Sequence, residues 1–175
     1  VLLLDSLAQY YIEISQFEKS TQVLDDLIDF AKDDAQMTRY LTMRLENSYK
    51  LHDLEQVVKS VTLLSNQLRQ RPEKRSANLE LLLAEIGSTF QEEFERTKTV
   101  AVLETAEKVY RAYGEHFEQG EHAYDMLHNH ALAMFTLAEL GCKEADKLAK
   151  DKGGAEKSAA ARELCYQRYN DSAAG

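Results

Sequence analysis

The chain has 175 residues and a net charge of −9, which argues against a binder of nucleic-acid phosphates as the default function. A single proline and seven glycines, in a sequence rich in Leu, Ala, Glu and Lys, favour helix throughout. No apolar run approaches the roughly 20 residues that a membrane-spanning helix needs. The length suits one sizeable core, so we expect a single domain over residues 1–175.

Two helical hairpins are predicted in the first part of the chain, over about residues 2–32 and 36–70. Apolar residues recur there at three- and four-residue spacing, which is typical of helices with one buried stripe. We expect the turn inside each hairpin at Ser15–Gln16 and at His52–Asp53.

The second hairpin repeats the first at a displacement of 37 residues. Ile12 then matches Tyr49, and Leu24 matches Val61. A period of this size indicates stacked helix pairs, and such arrays mostly bind other proteins.

Two further hairpins and a last helix are predicted beyond Pro72, which cannot lie inside a helix. The third hairpin covers about residues 77–114, with Ser76 as its N-cap. The fourth covers about residues 119–152, and the capping helix covers about 155–170. We expect the fourth hairpin to turn at Leu140-Gly141-Cys142, and Gly153-Gly154 to form a flexible break before the last helix.

The two cysteines, Cys142 and Cys165, form no Cys-x-x-Cys motif and are too few for a disulfide scaffold. Their number still allows a single disulfide between them. The chain starts at Val1 without a methionine, so we expect a fragment or a processed form. The sequence assigns no compartment; we expect a soluble protein and slightly favour the cytoplasm.

The first hairpin resembles the tetratricopeptide repeat, whose signature positions here hold Leu7, Ala8, Tyr11, Phe17, Ser20, Leu24 and Leu27. The closing proline of that repeat is absent, with Lys32 near its place, and the later hairpins keep less of the signature. The resemblance covers about residues 2–150. It implies an all-α fold, a right-handed α-solenoid of about four antiparallel hairpins with a C-terminal helix.

The resemblance also implies a concave groove, lined by the first helix of each hairpin, in which a peptide or helix of a partner lies. The partner-binding residues it implies are Gln9, Ile12, Glu13, Arg39, Met43, Glu46, Tyr49 and Lys50. Relatives that grip a C-terminal carboxylate use Lys and Asn where this chain has Asp5 and Gln9. An aspartate repels a carboxylate, which argues against that ligand.

The charge changes sign along the chain, from −6 over residues 1–34 to +4 over residues 35–75. Solvated helix faces explain such patches in most proteins. The functional alternatives are an acidic docking patch on the first hairpin, and recognition of an acidic or extended partner segment by Arg39, Arg44 and Lys50.

Residues 115–130 are rich in histidine and acidic residues, which suggests metal binding as an alternative function. On one helix, Glu121, Asp125 and His128 would fall at i, i+4 and i+7 and could offer three ligands to a divalent metal. The sequence shows no Gly-rich phosphate loop and no nucleophile paired with a base.

We therefore expect a non-catalytic interaction scaffold that needs no cofactor and binds a protein or peptide, without nucleic acid. Two alternatives stay open. One is self-association through exposed apolar ends of the helical array. The other is a helical metal-binding regulator or enzyme that uses residues 115–130.

Overall fold

The computed structural model describes residues 2–150 and 155–174, and all regular structure within them is helical. The fold of this part is therefore all-α, as expected from the composition. None of its helices combines the length and the apolar character that crossing a bilayer requires. A short 3-10 helix at Pro72–Lys74 accompanies α1 (Leu2–Glu13), α2 (Phe17–Asp29), α3 (Asp34–Lys50), α4 (Leu54–Gln70), α5 (Ala77–Thr97), α6 (Val100–His116), α7 (Ala123–Lys150) and α8 (Ala155–Ala174).

The turn between α1 and α2 is closed by two backbone hydrogen bonds around Ser15, whose φ is 56°. The Ser15 N–H donates to the Ile12 carbonyl at 2.9 Å, and the Gln16 N–H donates to the Tyr11 carbonyl at 2.8 Å. This pair of bonds is the Schellman motif, which satisfies the last carbonyls of a helix and reverses the chain.

The turn between α3 and α4 repeats that motif 37 residues later. His52 has a φ of 55° and donates to the Tyr49 carbonyl at 3.0 Å. The Asp53 N–H donates to the Ser48 carbonyl at 3.1 Å. The repeat seen in the sequence is thus also a repeat of backbone geometry.

Side-chain oxygens cap the starts of some of the helices. The Ser76 hydroxyl accepts from the Leu79 N–H at 3.3 Å, so the predicted N-cap of α5 is confirmed. Asp53 caps α4 in the same way, through the Gln56 N–H at 3.0 Å. Gln16, at the matching position before α2, makes no side-chain cap.

Most contacts join helices that follow each other, and α4 packs mainly on α3 and α6. A small cluster between α1, α2 and α3 centres on Ala8 and Leu24. The Ser20 hydroxyl donates to the Ala8 carbonyl at 3.1 Å, where α1 and α2 approach closely. A larger core extends from Leu41 on α3 to Leu137 on α7.

The predicted turn at Leu140-Gly141-Cys142 is wrong, because α7 continues through it to Lys150. A lone glycine costs a helix only about 1 kcal/mol relative to alanine, and packing of α7 on α8 offsets that cost. The partner of α7 is therefore α8, the helix expected to act as a cap. The predicted break at Gly153-Gly154 lies outside the described residues.

A disulfide joins α7 to α8 through Cys142 and Cys165. Their Cα atoms are 5.4 Å apart, within the usual range for a bridge. The bridge that the cysteine count left open is thus present in the structure, and it links the two helices of the last pair.

Candidate functional site

An open groove of about 700 Å³ lies between α1, α3 and the start of α5. Five of the eight residues implied as partner-binding line it, namely Gln9, Ile12, Glu13, Arg39 and Met43. The connection from α4 to α5 adds Lys74 and Ser76 to the rim.

The floor of the groove is apolar because two helix faces meet there. Ile12 on α1 and Met43 on α3 are half-buried, and Met43 packs against the cluster around Leu24. Leu79, at the first turn of α5, is 2% exposed and closes the floor. Accessible apolar side chains on a polar-rimmed surface are the usual anchors of a bound peptide or helix.

Charges on the rim are unequally available to a ligand. Arg39 is 3.1 Å from the Asp5 carboxylate, so its charge is largely compensated within the molecule. Lys74 makes no ion pair with any described residue, and Glu13 lies on the α1 side of the groove. The groove thus has an available cation near α5 and an available anion on α1.

The other three implied residues lie outside the lining of this groove. The Tyr49 hydroxyl donates to Thr89 Oγ1 at 3.1 Å, and its ring packs edge-on against Phe90 at 6.0 Å. Tyr49 therefore joins α3 to α5. Lys50 places its ammonium 5.6 Å from the Tyr49 ring, and Glu46 is exposed on α3.

Arg44 cannot recognise a partner as the basic-patch interpretation required, because its side chain is only 1% exposed. Its Nε donates to the Asp25 carboxylate at 2.6 Å. Its two terminal nitrogens donate to Ser60 Oγ at 2.5 Å and to Gln56 Oε1 at 2.8 Å. The sequence placed Arg44 on the same helix as Arg39 and Lys50, but its side chain lies on the buried face of α3.

Some of the opposite charges on residues 1–34 and 35–75 form ion pairs with each other inside the molecule. Asp5 pairs with Arg39, and Asp25 pairs with Arg44, so acidic side chains of α1 and α2 meet basic side chains of α3. These pairs lie between the first two hairpins, where the sequence suggested separate docking patches.

The metal site considered for residues 115–130 is not assembled. Helix α7 begins at Ala123, so Glu121 precedes the helix that Asp125 and His128 share. The His128 ring instead stacks on Tyr124 at 6.3 Å. Across residues 2–150 and 155–174, no three His, Cys, Asp or Glu side chains are grouped to hold a metal ion.

A buried polar contact that the sequence gave no sign of joins α4 to α6. His116 Nε2 lies 2.7 Å from Ser65 Oγ, although the residues are 51 positions apart. Burial lowers the pKa of His116, and the charge of Arg75 lowers it further. Within the part of the chain that the structure describes, the buried His116 Nδ1 has no hydrogen-bond partner, so no described carboxylate holds that nitrogen as in a catalytic triad.

A second buried group joins α6 to α7. The Glu107 side chain is 6% exposed, and His130 Nε2 donates to its carboxylate at 3.3 Å. Burial alone would raise the pKa of Glu107. The hydrogen bond from His130 and the charges of Lys108 and Arg111 outweigh it and lower that pKa to about 2.

No protein-family model, curated protein or solved structure matches this chain significantly.

Proposed function

We propose that the protein is a non-catalytic scaffold that binds a peptide or helix of a partner protein in the groove between α1, α3 and α5. The observation that carries this proposal is the pairing of Ile12 with Met43 on the floor of one open groove with a polar rim. Covering the remaining exposed apolar surface of these side chains with a partner would stabilise the complex.

The proposal includes a right-handed α-solenoid similar to the tetratricopeptide repeat. Its supports are the two Schellman turns at Ser15 and His52, 37 residues apart, and the contacts between successive helices. Ala8 and Ser20 also meet where α1 and α2 cross, at two of the small-residue positions of that repeat.

Affinity capture from native extract, followed by mass spectrometry, tests this proposal. Met43→Arg should reduce recovery of specific partners by about tenfold or more, because a charge on the floor removes an apolar anchor. Leu63→Arg is the matched control, since Leu63 is 39% exposed on α4 and lies outside the groove. Equal recovery with wild type, Met43→Arg and Ile12→Arg would refute binding in this groove.

Self-association is a second candidate, favoured by exposed apolar residues on α1 and α7. Leu2 and Leu3 are 86% and 82% exposed, and Phe135 is 46% exposed. Exposed apolar surface favours association with a like surface. Light scattering over a hundredfold range of concentration should show a rising mean mass if these faces pair, and a constant monomer mass would exclude it.

A further inference from the structure

A second cavity lies between α4, α6, α7 and α8 and shares no lining residue with the groove. Its volume is about 620 Å³, which falls in the range of small-ligand sites. We call it the apolar chamber, because Leu54, Val58, Ala101, Met134 and Leu137 give it one apolar wall. The rest of its lining is polar, namely Thr105 and the charged residues Glu55, Glu104, Glu107, Lys108, Arg111 and Arg168.

A smaller cavity of about 270 Å³ adjoins the apolar chamber along α4 and α6. The two share Val58, Lys108 and Arg111 in their linings. We call the smaller cavity the polar chamber, since its wall includes Thr62, Ser65, Asn66, Arg69 and Glu115. A trough therefore runs from an apolar space, past two cations, to a polar space.

The two cations at this junction carry a surplus positive charge. Lys108 and Arg111 both pair with the carboxylate of Glu107, which is 6% exposed beneath them. Their own side chains are 45% and 51% exposed. One carboxylate uses only part of the donors that an ammonium and a guanidinium offer, so both can bind a second anion.

Other charges along the trough favour one orientation of such an anion. Arg168, on the wall of the apolar chamber, is neutralised by Glu104 at 3.3 Å. Glu55 also lines that chamber and makes no ion pair with a described residue. An anionic group inside the apolar chamber would meet Glu55, whereas at the junction it meets Lys108 and Arg111.

We propose that this trough binds an aliphatic carboxylate, a single-chain anionic amphiphile. The chain lies in the apolar chamber against Val58, Met134 and Leu137, and burial of its methylene groups stabilises the complex. The carboxylate lies between Lys108 and Arg111. The site is separate from the groove, so it does not depend on the function proposed for the groove.

Isothermal titration calorimetry of the full chain with sodium dodecanoate, below its micelle concentration, tests the proposal. We expect one site per chain, and binding of dodecan-1-ol that is at least about tenfold weaker because it lacks the charge. Lys108→Gln should weaken dodecanoate binding about fivefold to tenfold. Its matched control is Lys59→Gln, an exposed lysine of α4 outside both chambers, which should bind as wild type.

Filling the apolar chamber provides an independent arm. Met134→Trp should abolish dodecanoate binding because the larger side chain fills the chamber. If this variant loses its helical circular dichroism, Ala101→Phe replaces it, since Ala101 is exposed and lines the same chamber. Ala101→Phe should also abolish binding. Met43→Arg, in the groove, should leave dodecanoate binding unchanged. The proposal is overturned if dodecanoate gives no binding, if dodecan-1-ol binds as tightly, or if the folded filled-chamber variant binds like wild type.

Discussion

Three turns between helices place a residue with a side chain in the left-handed region, where glycine is usual. Ser15, His52 and Lys98 have φ angles of 56°, 55° and 56°. His52 and Lys98 also contact aromatic rings, at Phe90 and Phe94. The strain of the left-handed conformation is therefore best isolated at Ser15, whose side chain is exposed.

Replacing Ser15 by glycine should stabilise the protein by about 0.5–1 kcal/mol, because glycine adopts a positive φ without the steric cost of a Cβ. Urea unfolding measures the change. Ser88→Gly, inside α5, is the matched control and should destabilise by about 0.5 kcal/mol. Loss of stability in Ser15→Gly would contradict the assigned turn conformation.

Arg44 shows at the same scale how one side chain can serve the core although it is charged. Three of its nitrogens have partners on α2 and α4, so the buried guanidinium is well satisfied. A buried charge that keeps its partners is tolerated, whereas loss of one member leaves the others unpaired.

Arg44→Met should destabilise the protein by about 2–3 kcal/mol, because Ser60 and Gln56 lose a buried charged donor. The paired measurement is Arg39→Met, which removes an exposed ion pair with Asp5 and should cost less than about 1 kcal/mol. Chemical denaturation of both variants gives the comparison. Equal losses would mean that Arg44 is solvated.

In α7 and α8, the last two helices, the structure differs from what the local sequence signals predicted. Gly141 suggested a turn, but α7 remains helical because its inner face packs along α8 and the disulfide fixes that contact. Gly141 lies on the face toward α8, where an added Cβ would meet Cys165 at 3.9 Å. The signal of a single glycine is weak compared with a long packed face.

Reduction of the disulfide between Cys142 and Cys165 should lower stability by about 3 kcal/mol, the value expected for a bridge that spans 23 residues. Thermal melts with and without dithiothreitol measure the change, and intact mass with thiol labelling confirms the bridge. The double variant Cys142→Ser, Cys165→Ser should not respond to dithiothreitol. Two labelled thiols in the untreated protein would contradict the bridge.

For the whole molecule, buried titratable groups make stability depend on pH in two ranges. His116 has a pKa below its ordinary 6.5, because burial and then Arg75 disfavour its charged form. The contribution of neutral His116 to the free energy of unfolding is therefore complete above pH 6.5, and it is lost as the pH falls through the lowered pKa. The pKa of Glu107 is lowered to about 2. Ionised Glu107 therefore stabilises the fold fully above pH 4.5, and this stabilisation is lost as the pH falls toward 2.

We therefore expect the melting temperature to fall between pH 7 and 5.5, before the steeper loss in strong acid. His116→Gln should flatten the first range and leave the second, because it removes the histidine whose pKa is lowered and keeps Glu107. His128→Gln, an exposed histidine of α7, is the control and should keep the wild-type profile. An unchanged slope between pH 7 and 5.5 in His116→Gln would contradict the assigned role of His116.

Local signals in the sequence were enough to predict α1 to α6 and the 37-residue repeat, whereas they divided α7 in two. These signals act within a few residues of the chain, so they are visible in the sequence. They include the spacing of apolar residues, Ser76 as an N-cap and Pro72 as a helix break. The resemblance to a helical repeat likewise pointed to Ile12 and Met43, which meet in one groove. Periodicity decides which face of a helix is apolar, and therefore which residues are candidates for the core.

The tertiary structure alone decided which charges are available and which are used internally. Arg44 and Glu107 are buried among partners on other helices, whereas Lys74 faces the groove. The contact of Ser65 with His116 spans 51 positions, and the trough depends on four helices coming together. Pairing over such separations depends on how helices pack, and no local pattern of residue types encodes it.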